Sequence, residues 1–241
     1  MSLSACEQRL LDAVRQARQQ RRVMRSEGQW GVDLAGAYRV QAALRASPVK
    51  GYKLGLVSPA KQAQMGVNSP IYGRVWADML RDRRISLGDF VQPRLEPELA
   101  VVLREDIPQG AEAARAWMAV HGFFLALDIL DSVWENYRFS AVEVVADNAS
   151  GGAFIMGERL LPVEEAEGTI QLCLNGALVA EGSVRSLGDP GEMLAWLAGQ
   201  VGGLRRGQVV FLGSPASSVA AQPGIVEISL ADSSLLCWLE G

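Results

Sequence analysis

The sequence predicts an α+β fold, with a small helical N-terminal segment over residues 1–47 and a mixed, mostly β core over residues 48–241. Apolar residues recur at helical spacing mainly near the start of the chain. After Pro48 the texture changes to short apolar runs broken by Gly, Pro, Asn and Asp, the punctuation of strands and turns. Those runs follow one another in hairpin order with few helices between them, which argues against a doubly wound parallel sheet. A chain of 241 residues is long enough to bury a substantial core. With 49% hydrophobic and 21% charged residues, it falls among ordinary globular proteins.

The first helix is signalled by the capping-box form Ser4-Ala5-Cys6-Glu7, followed by Leu10, Leu11, Val14 and Ala17 on one face. Arg15, Arg18, Arg21, Arg22 and Arg25 alternate with these positions and read as a solvated face. A second helix is expected from about Asp33, carrying Leu34, Ala37, Tyr38, Gln41 and Leu44. Strands are expected over 85–91, 99–103, 123–129, 153–156, 169–174, 178–183, 208–212 and 225–230. Asn175-Gly176 between two of them signals a tight hairpin, because both turn positions need positive φ. Helices are expected over 111–120 and 190–201, the latter with Asp189 as cap, Pro190 in its first turn and Gly202-Gly203 ending it.

A net charge of −4 gives no support for nucleic-acid binding, which wants a concentrated basic surface. Cys6, Cys173 and Cys237 are odd in number and far apart, so free thiols in a reducing compartment are expected. The start of the chain lacks a secretory h-region, and no apolar run reaches membrane-spanning length. The expectation is a cytoplasmic protein that engages no membrane. The single histidine, His121, sits at what reads as a helix end, so chemistry is expected from carboxylates, lysine, hydroxyls, backbone amides or a metal.

In Arg94-Leu95-Glu96-Pro97-Glu98-Leu99, two carboxylates stand two residues apart at the head of an apolar strand, so they project to one face. They either form a solvated outer face or flank a hard cation such as Mg²⁺ or Mn²⁺. Lys53, in Gly51-Tyr52-Lys53-Leu54-Gly55, is out of place in an apolar strand. If buried it needs a depressed pKa or an anionic partner; otherwise it snorkels from the strand end. Asp128 lies within the apolar run that ends at Asp131-Ser132, and Ala146-Asp147-Asn148-Ala149-Ser150-Gly151-Gly152 is turn chemistry.

In this order and spacing, the segments resemble the fumarylacetoacetate hydrolase superfamily, and within it the 2-keto-4-pentenoate hydratase and 4-oxalocrotonate decarboxylase branch. The likeness runs through Gly51–Gly73, Glu96/Glu98, Ala126–Ser132, Ala146–Gly152 and Leu204–Ser214, from about Tyr38 to the end. The resemblance implies that Glu96, Glu98 and Asp128 hold a divalent metal, Mg²⁺ or Mn²⁺, with Asp128 where the branch usually has Glu. It implies that Lys53 and Ser150 serve catalysis. Leu56, Ser58, Asn148 and Ser214 would bind a small-molecule 2-oxo acid, partly through the Leu56–Ser58 backbone. It also implies a homo-oligomer.

Four departures stand out. Ile71 replaces an acid of the family's P-D-F-G, Val133 an arginine, Val57 a threonine, and Ile225 an aspartate after Pro223-Gly224. The implied activity is a metal-dependent lyase on 2-oxo or 2-hydroxy dienoic acids of aromatic-compound catabolism. Hydration of 2-hydroxypenta-2,4-dienoate comes first, and decarboxylation of 2-oxohex-3-enedioate is the alternative. An acylpyruvate-type hydrolase or a catalytically degenerate member that keeps the fold stands behind these two.

Overall fold

The computed structural model describes residues 2–26, 28–162 and 166–241. Helices α1 (Ala5–Gln19) and α2 (Leu34–Ala43) lead into β1 (Val49–Gly55), α3 (Pro59–Gln64) and β2 (Ile71–Trp76). Next come β3 (Arg84–Ser86), β4 (Arg94–Leu103), α4 (Ala113–Met118), β5 (Val120–Leu130), α5 (Ala141–Ala146) and β6 (Gly151–Met156). The chain continues through β7 (Thr169–Leu174), β8 (Ala177–Ser183) and α6 (Pro190–Val201). It ends with β9 (Val209–Phe211), β10 (Val219–Ala220), β11 (Gly224–Leu230) and β12 (Ser233–Glu240).

The strands form two sheets. One has the order β2-β1-β9-β4-β5-β6, with β10 paired beside β4; the other has the order β3-β12-β11-β7-β8. Most pairings are antiparallel, as the hairpin order of the sequence implies, while β1 with β9 and β3 with β12 run parallel. The two sheets share a core. Leu99 and Val101 of β4 and Leu125, Leu127 and Ile129 of β5 meet Ile170, Leu172, Val226, Ile228, Leu235 and Cys237 of the second sheet, with Leu194 and Leu197 of α6.

Side chains alternate across a strand, so the even-numbered residues of β4 and β5 turn to the other face of the first sheet. There Ala100, Ala126, Phe154, Phe211, Val75 and Trp76 form a smaller cluster. Beside it, α1, α2 and α5 pack on Ile71, Val133 and Trp134 in a third cluster. The α1 capping box forms as its sequence implies: Ser4 Oγ accepts from the Glu7 N–H, and the Glu7 carboxylate accepts from the Ser4 N–H. Asn175 and Gly176 hold φ of 52° and 80° between β7 and β8.

Some expectations change. The strand expected over 85–91 stops at Ser86, because Leu87–Asp89 turns as a single 3₁₀ loop. The helix expected over 111–120 is only α4, so His121 is an exposed residue near the start of β5 rather than at a helix end. Arg18 is not on a solvated face: its side chain is 20% exposed and turns inward to two aspartates. None of the described helices is long and apolar enough to cross a membrane.

Candidate metal centre and its cavity

The acidic cluster follows from register. In the β4–β5 ladder Glu96 stands opposite Asp128 and Glu98 opposite Ala126, which puts all three acids on one face. One carboxylate oxygen from each lies within 4.8 Å of the others. Glu98 and Asp128 are fully buried. Lys53 comes from β1, which is separated from β5 by β9 and β4. Three strand spacings are about 14 Å across a flat sheet, where side chains stand perpendicular and do not converge. Yet Lys53 Nζ lies 2.6 Å from Asp128 Oδ2, so this face of the sheet is concave.

The polar atoms here are under-satisfied. Glu98 Oε2 accepts the Gly213 N–H at 3.1 Å, but Glu98 Oε1 and Asp128 Oδ1 have no hydrogen-bond partner. Lys53 and Asp128 form a buried ion pair. One ammonium among three carboxylates leaves a negative surplus in a buried place, which is costly without a further cation. An all-oxygen donor set with orphaned oxygens fits a hard divalent ion.

Burial alone would lower the Lys53 pKa, but Asp128, Glu96 and Glu98 outweigh it and hold the ammonium above its ordinary value. Of the two outcomes open to a buried lysine, the anionic partner is the one realised. Burial, then repulsion from Asp128, pushes Glu98 well above the carboxylate range despite Lys53. Burial likewise raises Asp128 to about 6, opposed by Lys53 and helped by Glu96.

A cavity of about 200 Å³ opens onto Lys53 and Glu96. Its polar wall includes Ser150, Gly213 and Ser214; Leu56, Val57, Ile71, Leu130, Phe139 and Val144 make an apolar wall, and Tyr137 joins it. Among the described residues lining it, Lys61 alone is exposed, which places Lys61 at the mouth. Ser150 Oγ is buried without a hydrogen-bond partner. Ser214 Oγ donates to Pro97 O at 2.9 Å, and the Tyr137 hydroxyl donates to Gln92 O at 3.0 Å.

The structure thus gathers Lys53, Glu96, Glu98, Asp128, Ser150, Leu56 and Ser214. Two expected binding residues lie elsewhere. Ser58 Oγ caps α3 by accepting the Lys61 N–H. Asn148 spends its side chain on the Arg74 backbone, accepting at 2.7 Å and donating at 2.9 Å, and lines a separate cavity with Arg15, Arg18 and Trp76. Lys61, Tyr137, Phe139, Val144 and Gly213 were not singled out from sequence. No local pattern marks them, because each reaches the cavity through tertiary packing.

The turn that presents Ser150 is strained. Asn148, Ala149 and Ser150 hold φ of 57°, 52° and 56°, a left-handed conformation costing L-residues about 1–2 kcal/mol each. Such strain persists only where surrounding contacts over-determine it. Burial raises Asp147 to about 6 against the pull of the Arg18 guanidinium. Of the four departures, Ile71 and Val57 do face the cavity. Val133 instead packs in the helical cluster, and Ile225 is exposed on β11. Arg18 of α1 meets Asp131 and Asp147, with Nη1 3.3 Å from Asp131 Oδ2 and Nη2 2.6 Å from Asp147 Oδ1.

Comparison with known proteins agrees with this geometry. The profile of the fumarylacetoacetate (FAA) hydrolase C-terminal family matches residues 59–233. A 4-oxalocrotonate decarboxylase of Pseudomonas sp is 34% identical over 197 residues, covering 78% of this chain and 76% of that protein. 2-Keto-4-pentenoate hydratase 1 of Dechloromonas aromatica (strain RCB) is 34% identical over 185 residues, covering 72% and 70%. The solved 4-oxalocrotonate decarboxylase from Pseudomonas putida G7, complexed with magnesium and adipate, superposes with a TM-score of 0.88 at 26% identity over 96% of both chains. The chain belongs to the fumarylacetoacetate hydrolase family, in its 2-keto-4-pentenoate hydratase and 4-oxalocrotonate decarboxylase branch.

Proposed function

We propose that the protein is a metal-dependent lyase for unsaturated 2-oxo acids, and that its reaction is decarboxylation of 2-oxohex-3-enedioate. The observation that carries this is the cavity wall. Ile71 is buried in it where a water-activating acid would stand, and Glu96, a metal-ligand candidate, is the one acid among the described lining residues. Addition of water to a conjugated acid wants a positioned base; loss of CO₂ does not. This reverses the order suggested by sequence, in which hydration came first.

Mg²⁺ or Mn²⁺ held by Glu96, Glu98 and Asp128 would act as a Lewis acid at the 2-oxygen of the substrate, worth several kcal/mol to an enolisation-type barrier. The chain's own groups then have separable tasks. Lys53 lies beside Asp128 at the polar end and faces the cavity; it anchors the first carboxylate and carries the proton that the 2-oxygen takes up. Ser150 Oγ has no other partner and donates to the same oxygen. Leu56, Ile71, Phe139 and Val144 line the apolar wall, and they surround the far carboxylate with groups that cannot solvate it. The bond from C5 to that carboxylate breaks, and its electron pair passes along the conjugated chain to the 2-oxygen. Protonation there leaves CO₂ and 2-hydroxypenta-2,4-dienoate.

Hydration of 2-hydroxypenta-2,4-dienoate is the second reading, favoured by the equal 34% identity to a hydratase. The assay supplies each acid separately with Mg²⁺, following CO₂ release and ultraviolet loss of the diene. CO₂ from 2-oxohex-3-enedioate with no consumption of the dienoate is the expected result. Consumption of the dienoate without CO₂ release from the diacid replaces decarboxylation with hydration, and turnover of neither removes both.

A further inference from the structure

Ser150 owes its place to its backbone, since its hydroxyl has no hydrogen-bond partner to orient it. Its carbonyl accepts the Asp131 N–H at 2.7 Å, and its own N–H donates to Asp147 O at 3.1 Å. Both of those residues are gripped by one side chain. Arg18 of α1 donates from Nε to Asp147 Oδ1 at 2.8 Å, from Nη1 to Asp131 Oδ2 at 3.3 Å and from Nη2 to Asp131 O at 3.1 Å. The far carboxylate oxygens are tied as well. Asp131 Oδ1 accepts the Val91 and Gln92 N–H groups, each at 2.9 Å, and Asp147 Oδ2 accepts the Val133 N–H at 2.9 Å. The guanidinium therefore closes a ring of contacts around the left-handed turn.

We propose that Arg18 is a positioning residue: its planar fork, bridging Asp131 and Asp147, holds the strained turn that aims Ser150 Oγ into the cavity. A fork of fixed geometry does this where an ammonium would not, because it bonds two acceptors in set directions. Without it, two buried carboxylates face each other across the turn and the left-handed conformation loses a main restraint. The N-terminal helix is thereby tied to the active cavity, although α1 contributes no residue to its lining. The catalytic half of this inference rests on the proposed function of Ser150; the structural half does not.

The test compares Arg18→Ala, Arg18→Lys, Ser150→Ala and the Arg18→Ala/Ser150→Ala double variant. Decarboxylation of 2-oxohex-3-enedioate is measured with Mg²⁺, alongside hydrogen exchange at the Asp131 and Ser150 amides. Arg18→Ala is expected to lower kcat about 10–100-fold with KM within about twofold, and the double variant to be no slower than Ser150→Ala alone. Arg18→Lys keeps the charge without the fork and should fall between, and it carries the test if Arg18→Ala does not fold. Exchange at the two amides should quicken about 10-fold or more, while the Mg²⁺-induced rise in Tm is unchanged. Multiplicative losses in the double variant, or wild-type kcat with both amides still protected, overturn the proposal. If the wild-type protein turns over neither acid, the proposed function fails and exchange alone decides: quickening confined to the turn upholds Arg18 as its clamp, and unchanged protection rejects it.

Discussion

Lys53 and Asp128 carry opposite charges in a place water scarcely reaches, with Lys53 3% and Asp128 0% exposed. The consequence is a pH dependence whose sign can be worked out. Asp128 has a folded-state pKa raised to about 6, against about 3.9 in an unfolded chain. The metal-free native state therefore binds more protons than the unfolded chain between about pH 4 and 6. The stability these protons confer is present at low pH and is lost as pH rises through about 6. A divalent ion held by these acids would take the place of those protons, so protons would compete with it. The Mg²⁺-induced rise in Tm is expected to be small at pH 5 and to grow as pH rises through about 6 and beyond, because Glu98, pushed further above the carboxylate range, must also give up its proton; thermal melts with and without Mg²⁺ across that range check this. A rise independent of pH would separate Asp128 from the metal. At this scale the sequence was informative wherever chemistry broke a pattern: a lysine in an apolar strand, and acids within hydrophobic runs. Arg18 was illegible because helical periodicity describes only its own helix, and its partners lie 113 and 129 residues further on.

Strands and turns were legible where local chemistry sufficed. Asn175-Gly176 and the Asp189-Pro190 helix start need nothing beyond themselves to declare a turn and a cap. The final strand β12 escaped because its outward positions are also partly apolar: Leu236 and Trp238 alternate with the buried Leu235, Cys237 and Leu239, which blurs the two-residue period. The short α5 was missed for a related reason, since six residues hold too little periodicity to read. The packing of β2 against the strained turn depends on a missing side chain. A Cβ at Gly73 would sit 2.5 Å from Asn148 O and 3.0 Å from Lys53 Cγ. Gly73→Ala must push the turn and the lysine apart, which at ordinary overpacking costs is about 1–3 kcal/mol. Urea denaturation should show a loss of that size, with kcat falling further than stability alone would explain. A variant with wild-type kcat would mean the turn tolerates displacement.

Across the whole molecule, two sheets share one core, and the other face of the first sheet carries the three acids beside a smaller apolar cluster. The fold class was legible because hairpin order and the change of texture after Pro48 are global features of the chain. The cavity wall was not, since it is assembled from β1, α3, β2, β4, β5, α5 and the segments around Ser150 and Gly213. Linkage offers a readout of the centre as a unit. Mg²⁺ at a hundredfold excess over its dissociation constant adds about 2.7 kcal/mol to stability, visible as a higher Tm. Glu96→Ala is expected to abolish that rise while leaving the metal-free melt close to wild type, because Glu96 is only half-buried and packs little of the core. Persistence of the full rise in this variant would exclude Glu96 as a ligand.

The pairing of Glu96 with Asp128 across the β4–β5 ladder also acts as a proofreading device. Sliding one strand by a single position would swing Glu96 and Glu98 into the leucine-rich interior and throw Leu95 and Leu99 outward. So heavy a penalty excludes near-miss alignments during folding. A chain that has reached its native state has therefore already brought Glu96, Glu98 and Asp128 onto one face.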